Sequence, residues 1–115
     1  MKILITGYGK MGRMVEELAQ QKGWEILAAL DGQDVKLLRQ LKKADAAVDF
    51  SHPAMLDSLA NYIRRTGTPL ISGTTGYSEE QMDVLRQLGK SAAVLYSANY
   101  SLGVALLRRI LENFG

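Results

Sequence analysis

The chain has 115 residues, 47% hydrophobic and 23% charged, with a formal net charge of +2, the size and makeup of one globular domain around a single core. So slight a positive excess, spread over isolated pairs such as Lys42-Lys43, Arg64-Arg65 and Arg108-Arg109, argues against a nucleic-acid partner. The absence of cysteine and the single histidine, His52, exclude disulfides, thiolate chemistry, a histidine metal cage and a Ser-His-Asp triad.

In chain order, the apolar run Lys2–Thr6 predicts a first strand. It is too short for a signal-peptide core or a membrane span, so the expectation is a cytoplasmic protein that does not engage a membrane. Met11, Met14, Val15, Leu18 and Ala19 lie at helical spacing, with Gly23 closing the segment. Glu25–Leu30 predicts a second strand, and Asp34–Lys43, with Leu37, Leu38 and Leu41, leaves room for a short helix only. Ala46–Asp49 predicts a third strand. Pro53 is suited to open a helix carrying Met55, Leu56, Leu59, Ala60 and Ile63. Leu70–Ser72 predicts a fourth strand. Ser78-Glu79-Glu80-Gln81 reads as a capping box before Met82, Leu85 and Leu88. Ala92–Tyr96 predicts a fifth strand, and Leu102, Leu106, Ile110 and Phe114 a stripe on a last helix. None of the strand runs alternates strictly, as expected of strands covered on both faces. The order predicts an α/β fold: a Rossmann-like, doubly wound parallel sheet in a single three-layer domain.

Each predicted strand ends in a small or polar cluster, and a parallel sheet would bring all five clusters to its carboxyl edge, where open α/β sheets bind ligands. The first, Gly7-Tyr8-Gly9-Lys10-Met11-Gly12, is a G-x-G-x-x-G between a strand and a helix. Gly7 suits the tight turn, Gly9 the close approach of a pyrophosphate to the backbone, and Gly12 the packing of helix on strand; the phosphates meet the helix N-terminus. Asp31, about twenty residues on, suits the adenosine ribose hydroxyls; its alternative is a strand-end turn with Gly32. An acid there repels a 2′-phosphate, while Lys10 and Arg13 are placed to offset the repulsion. Gly73-Thr74-Thr75-Gly76 offers amides and hydroxyls to a carboxamide or carboxylate, or is only a strand-to-helix loop. In Ser97-Ala98-Asn99-Tyr100-Ser101, Asn99 offers an amide while Ser101 suits a helix cap. Phe50 reads as core or as a wall of the site, and His52 as a helix-start residue rather than a base.

Through Gly9-Lys10-Met11-Gly12-Arg13, Val48-Asp49-Phe50-Ser51-His52-Pro53, Gly73-Thr74-Thr75-Gly76 and Ser97-Ala98-Asn99-Tyr100-Ser101-Leu102-Gly103-Val104, the chain resembles the N-terminal domain of the dihydrodipicolinate reductases of lysine and diaminopimelate synthesis. The resemblance runs from Met1 to Gly115. It implies that the Gly7–Arg13 loop holds the pyrophosphate of NADH or NADPH and that Asp31 holds the ribose. It also implies that Phe50 and Ser51 flank the cofactor, and that Gly73, Thr74 and Thr75 line its nicotinamide end, with Thr75 near the substrate. By the same resemblance Ser97, Ala98, Asn99 and Tyr100 would complete that pocket. Hydride would pass to a cyclic unsaturated dicarboxylate.

The chain departs from the family in three ways. Gly32 stands where members often carry a basic residue after the ribose acid, which leans the expectation toward NADH or dual use. The stretch from Asp31 to Val48 is short for the family. The family's second domain, with a His-His-x-x-Lys motif that binds substrate and builds a homotetramer, has no counterpart in the sequence. The expectation is therefore a dinucleotide-binding domain over residues 1–115, with no catalytic residue of its own and no metal, that meets substrate only with that second domain. The alternatives are a stand-alone NAD(H) sensor and the cofactor half of another two-domain dehydrogenase.

Overall fold

Five parallel strands form one sheet in the order β2-β1-β3-β4-β5: β1 (Lys2–Thr6), β2 (Glu25–Leu30), β3 (Ala46–Asp49), β4 (Leu70–Ser72) and β5 (Val94–Tyr96). The computed structural model describes residues 1–97 together with Ala105, Arg108 and Arg109. The expected stripe Leu102, Leu106, Ile110 and Phe114 lies outside the described residues, as do Ala98, Asn99 and Tyr100.

Side chains of successive strand residues point to opposite faces, and the core divides accordingly. Ile3, Ile5, Ala46 and Val48 pack with Val15 and Ala19 of helix α1 (Lys10–Gln21). Leu4, Ala47 and Leu70 pack on the other face with α2 (Leu56–Thr66) and α3 (Glu79–Leu88), through Leu56, Leu59, Ile63, Leu85 and Leu88. The chain runs outward from β1 to β2 and then back to β3 on β1's other side. Right-handed crossovers in opposite directions must put their helices on opposite faces. The result is the doubly wound three-layer fold read from the sequence, with its switch point between β1 and β3, where a crevice opens at the strands' carboxyl ends.

The second and third strands are joined by a 3-10 turn, Val35–Arg39, in place of a further strand or a full helix. Two side chains of α2 hold this connection. The buried Tyr62 hydroxyl donates to the Lys42 carbonyl at 2.8 Å and accepts from the Ala44 amide at 3.0 Å. Arg65 donates to the carbonyls of Leu38 and Leu41 at 2.8 and 2.9 Å.

Two expectations shift by a few residues. Pro53 opens a 3-10 turn, Pro53–Met55, and α2 proper begins at Leu56. β5 begins at Val94 rather than Ala92, because the Ala92 amide still caps α3 through the Leu88 carbonyl. β2 and β5, at the sheet's edges, are only partly buried, unlike β1 and β3. The capping box is as expected, with Ser78 accepting from the Gln81 amide and Gln81 accepting from the Ser78 amide. Among the described residues no helix is long and apolar enough to cross a membrane, and no acidic, histidine or cysteine cluster could hold a metal ion.

Candidate functional site

The three glycines of the first loop have separate structural causes. Gly7 has φ +89°, and a Cβ there would lie 2.3 Å from the Phe50 carbonyl oxygen. Gly12 faces the Gly7 carbonyl so closely that a Cβ would lie 2.0 Å from its oxygen. Gly9 has no atom within 4 Å of where its Cβ would be; neither fold nor turn needs a glycine there, which leaves the space for a ligand. Gly9 is also the N-cap of α1 and supplies no side-chain cap. The N–H groups of the first turn therefore point outward without a side-chain acceptor, at the positive end of the helix.

Beside this loop lies a cleft of about 310 Å³. It is lined by Gly7, Tyr8 and Gly9 after β1, Asp31 and Gly32 after β2, and Phe50, Ser51 and His52 after β3. Residues up to 45 positions apart in the chain thus meet at the switch-point crevice. A larger apolar hollow of about 630 Å³ lies along β3, β4 and β5, lined by Pro69, Ile71, Ala93 and Leu95; it touches none of the polar clusters. The cleft is the better site, because it has the free amides and polar groups that fix a ligand's orientation.

The remaining sequence-predicted residues separate by orientation. Lys10 is exposed at the start of α1, while Met11 and Gly12 are buried. Tyr8 is exposed, with its hydroxyl donating to Glu16 at 2.7 Å and the Arg13 guanidinium 5.4 Å from its ring centre; the Glu16 hydrogen bond raises the Tyr8 pKa. Asp31 is exposed, and its carboxylate accepts from the Gln33 amide at 3.0 Å. That is the turn its alternative reading predicted, and it holds the acid at the mouth of the cleft. Phe50 turns its ring over the Gly73 α-carbon, so that a Cβ at 73 would lie 2.2 Å from the ring. Thr75 and Gly76 are exposed. Thr74, by contrast, is 2% exposed, and its hydroxyl turns inward. Ser97 pairs its amide with the Ser72 carbonyl at 3.1 Å. His52 is exposed and caps the 3-10 turn through its carbonyl, the helix-start role expected of it.

The sequence reading assigns no role to two residues in this region, Asp49 and Tyr77. Asp49 is fully buried at the end of β3, and among the described residues no ion pair reaches it. Its Oδ1 accepts from the Thr6 hydroxyl at 2.7 Å and from the hydroxyl and amide of Ser51. Its Oδ2 accepts from Thr74 at 2.7 Å, Ser72 at 3.0 Å and Tyr77 at 3.1 Å. The Thr74 oxygen accepts in turn from the Ser51 amide at 3.0 Å. Tyr96 ties β5 to the same loop by donating to the Thr74 carbonyl at 3.2 Å.

Burial, and after it the charge of Asp49, push the Tyr77 hydroxyl up to about 12 from 10.0. A proton held more tightly by the folded chain than by the unfolded one stabilises the fold fully below the unfolded pKa, and that stability is lost as pH rises through the folded pKa. The unfolding free energy is therefore expected to fall as pH is raised from about 10 to about 12, and to fall less in Tyr77→Phe. Urea unfolding of both proteins across that window checks this, and equal losses would assign the effect to other groups.

Residues 1–100 match the family model described as dihydrodipicolinate reductase, N-terminus. The 4-hydroxy-tetrahydrodipicolinate reductase of Staphylococcus aureus strain MRSA252 is 38% identical over 119 aligned residues, covering 96% of this chain and 49% of that protein. Its counterpart from strain JH9 is 37% identical with the same coverage. The chain thus spans about half the length of these curated relatives. Among solved structures, the signal receiver domain of a modulated diguanylate cyclase from Desulfovibrio desulfuricans G20 superimposes with a TM-score of 0.62 at 14% identity, over 96% of this chain and 91% of that one; the likeness is one of fold alone. The family match takes in every loop that lines the cleft, and the chain belongs to the family of dihydrodipicolinate reductase N-terminal domains.

Proposed function

We propose that this chain is the NAD(P)H-binding part of a reductase that passes hydride to a cyclic unsaturated dicarboxylate in lysine and diaminopimelate synthesis. The observation that carries the reading is the open space at Gly9, beside uncapped helix amides and between two glycines whose own Cβ positions are filled by backbone. That is the arrangement a pyrophosphate requires. In this reading the first-turn amides of α1 hold the pyrophosphate, Asp31 takes the adenosine ribose, and Phe50 and Ser51 border the cofactor. The exposed Thr75 and the backbone of Gly73 and Thr74 face the nicotinamide and substrate end, with Ser97, Ala98, Asn99 and Tyr100 completing it. The bound cofactor would supply the hydride.

Calorimetric titration with NADH and with NADPH tests the reading, and heat of binding from neither would sink it. A preference for NADH, or dual use, is expected. Asp31 and the neighbouring Asp34, whose carboxylate lies 3.5 Å from the Asp31 amide, place negative charge where a 2′-phosphate would sit. Of the two candidates to neutralise it, Arg13 lies over the Tyr8 ring and Lys10 is exposed at the start of α1. Asp31→Ser is expected to narrow the NADH-to-NADPH affinity ratio by about fivefold, the effect of about 1 kcal/mol for a charge pair in water-like surroundings, and less at high salt. An unchanged ratio would remove Asp31 as the discriminator.

The chain on its own is expected to give no turnover. Hydride transfer also needs the substrate clamped and a proton donor aligned with it. The only imidazole, His52, is exposed and acts through its carbonyl, and in this reading dicarboxylate binding and homotetramer assembly would belong to a second domain. Following NADH absorbance with freshly generated substrate checks this; steady, substrate-dependent consumption would place a complete active site in this chain.

A further inference from the structure

The cleft is built from loops that follow different strands, and such loops do not hold a common geometry unless something ties them together. After β1 the tie is backbone: Gly7 and Gly12 pack against main chain. After β3 and β4 it is a single side chain. The Asp49 carboxylate collects the hydroxyls of Thr6, Ser51, Ser72, Thr74 and Tyr77 and the amide of Ser51. These groups come from β1, β4 and both loops at the nicotinamide end of the proposed site.

We propose that Asp49 is the positioning residue of that end of the site: it draws the Ser51 and Thr74 side chains inward, and so leaves Thr75 at the surface where cofactor and substrate meet. The proposal rests on the cofactor-binding reading above. A carboxylate suits the task because it only accepts, and each hydroxyl has one proton to give. With every proton directed at Asp49, the donors share one arrangement. Thr74 shows the effect most plainly. Its hydroxyl donates to Asp49 and its oxygen accepts from the Ser51 amide at 3.0 Å, which joins the two loops through one atom. Thr75, next in sequence, is left exposed. None of the donors to Asp49 comes from the first turn of α1.

That division gives the test. Asp49→Asn keeps the shape but introduces an N–H₂ that donates toward hydroxyls already donating. NADH and ADP-ribose, which lacks the nicotinamide, are titrated into the chain and its Asp49→Asn variant by calorimetry, with urea unfolding alongside. The expected result is NADH affinity about tenfold weaker and ADP-ribose affinity within about twofold of the parent. Equal weakening of both ligands would show a general loss of structure and overturn the proposal, and so would no change in either. Should Asp49→Asn fail to fold, the decision passes to Ser72→Ala and Tyr77→Phe, each removing one donor to Asp49, judged by the same split. A parent chain that binds neither ligand would overturn the cofactor reading itself, an outcome distinct from failure of the split.

Discussion

Gly7→Ala is expected to destabilise the chain by roughly 2–5 kcal/mol, the sum of about 1–2 kcal/mol for a side chain held in the left-handed region and about 1–3 kcal/mol for overpacking. The φ of +89° supplies the first term, and the Phe50 carbonyl oxygen, 2.3 Å from the new Cβ, the second. The obstacle is backbone on both sides of the Phe50–Ser51 peptide, so it cannot swing away as a long side chain would. Domains of this size are stable by only about 5–15 kcal/mol. The loss should appear as a large drop in the urea midpoint, and a midpoint within experimental error of the parent would mean that the turn between β1 and α1 is not built as described.

Gly9→Val is expected to do the opposite. Its backbone is extended, with φ −93° and ψ −152°, and the space around its Cβ is empty. Valine should therefore fit, at about 1 kcal/mol for replacing glycine as a helix N-cap. Its branched side chain would occupy the ground a pyrophosphate needs, and NADH affinity should fall by about a hundredfold or more, about 2.7 kcal/mol. Calorimetry and urea unfolding on one preparation separate the two quantities. Binding at parental strength would remove the pyrophosphate from this loop. Two glycines two positions apart would then be distinguished, one serving the fold and one the ligand.

The sequence carries that distinction only in part. The G-x-G-x-x-G spacing between an apolar run and an amphipathic stripe predicts which glycine does what, and Gly7, Gly9 and Gly12 have the surroundings it predicts. The first four strands begin and end as expected. Local chemistry was enough there, and likewise for the Ser78 capping box. It was not enough where partners are far apart. An aspartate closing a short strand reads as an ordinary polar end. Nothing near Asp49 announces that Thr6 will arrive from 43 positions earlier, or Thr74 and Tyr77 from 25 and 28 positions later. The same distance effect hid the difference between Thr74 and Thr75. Adjacent in a loop, they look equivalent until the Asp49 carboxylate claims one of them.

The order of the strands also bears on how the chain comes to be folded. β1 is synthesised first yet lies between β2 and β3, so the sheet grows outward on both sides of its oldest segment. β2 can dock as soon as α1 has crossed over, a nearly local event. β3 then brings Asp49 beside Thr6, but the Ser72, Thr74 and Tyr77 donors are still to be made. Until they emerge, closing the carboxyl edge would strip water from a carboxylate only half supplied with donors, which is costly. On a ribosome the amino edge of the sheet is free to set early, while the edge bearing the cleft stays hydrated until β4 and the loop after it are delivered.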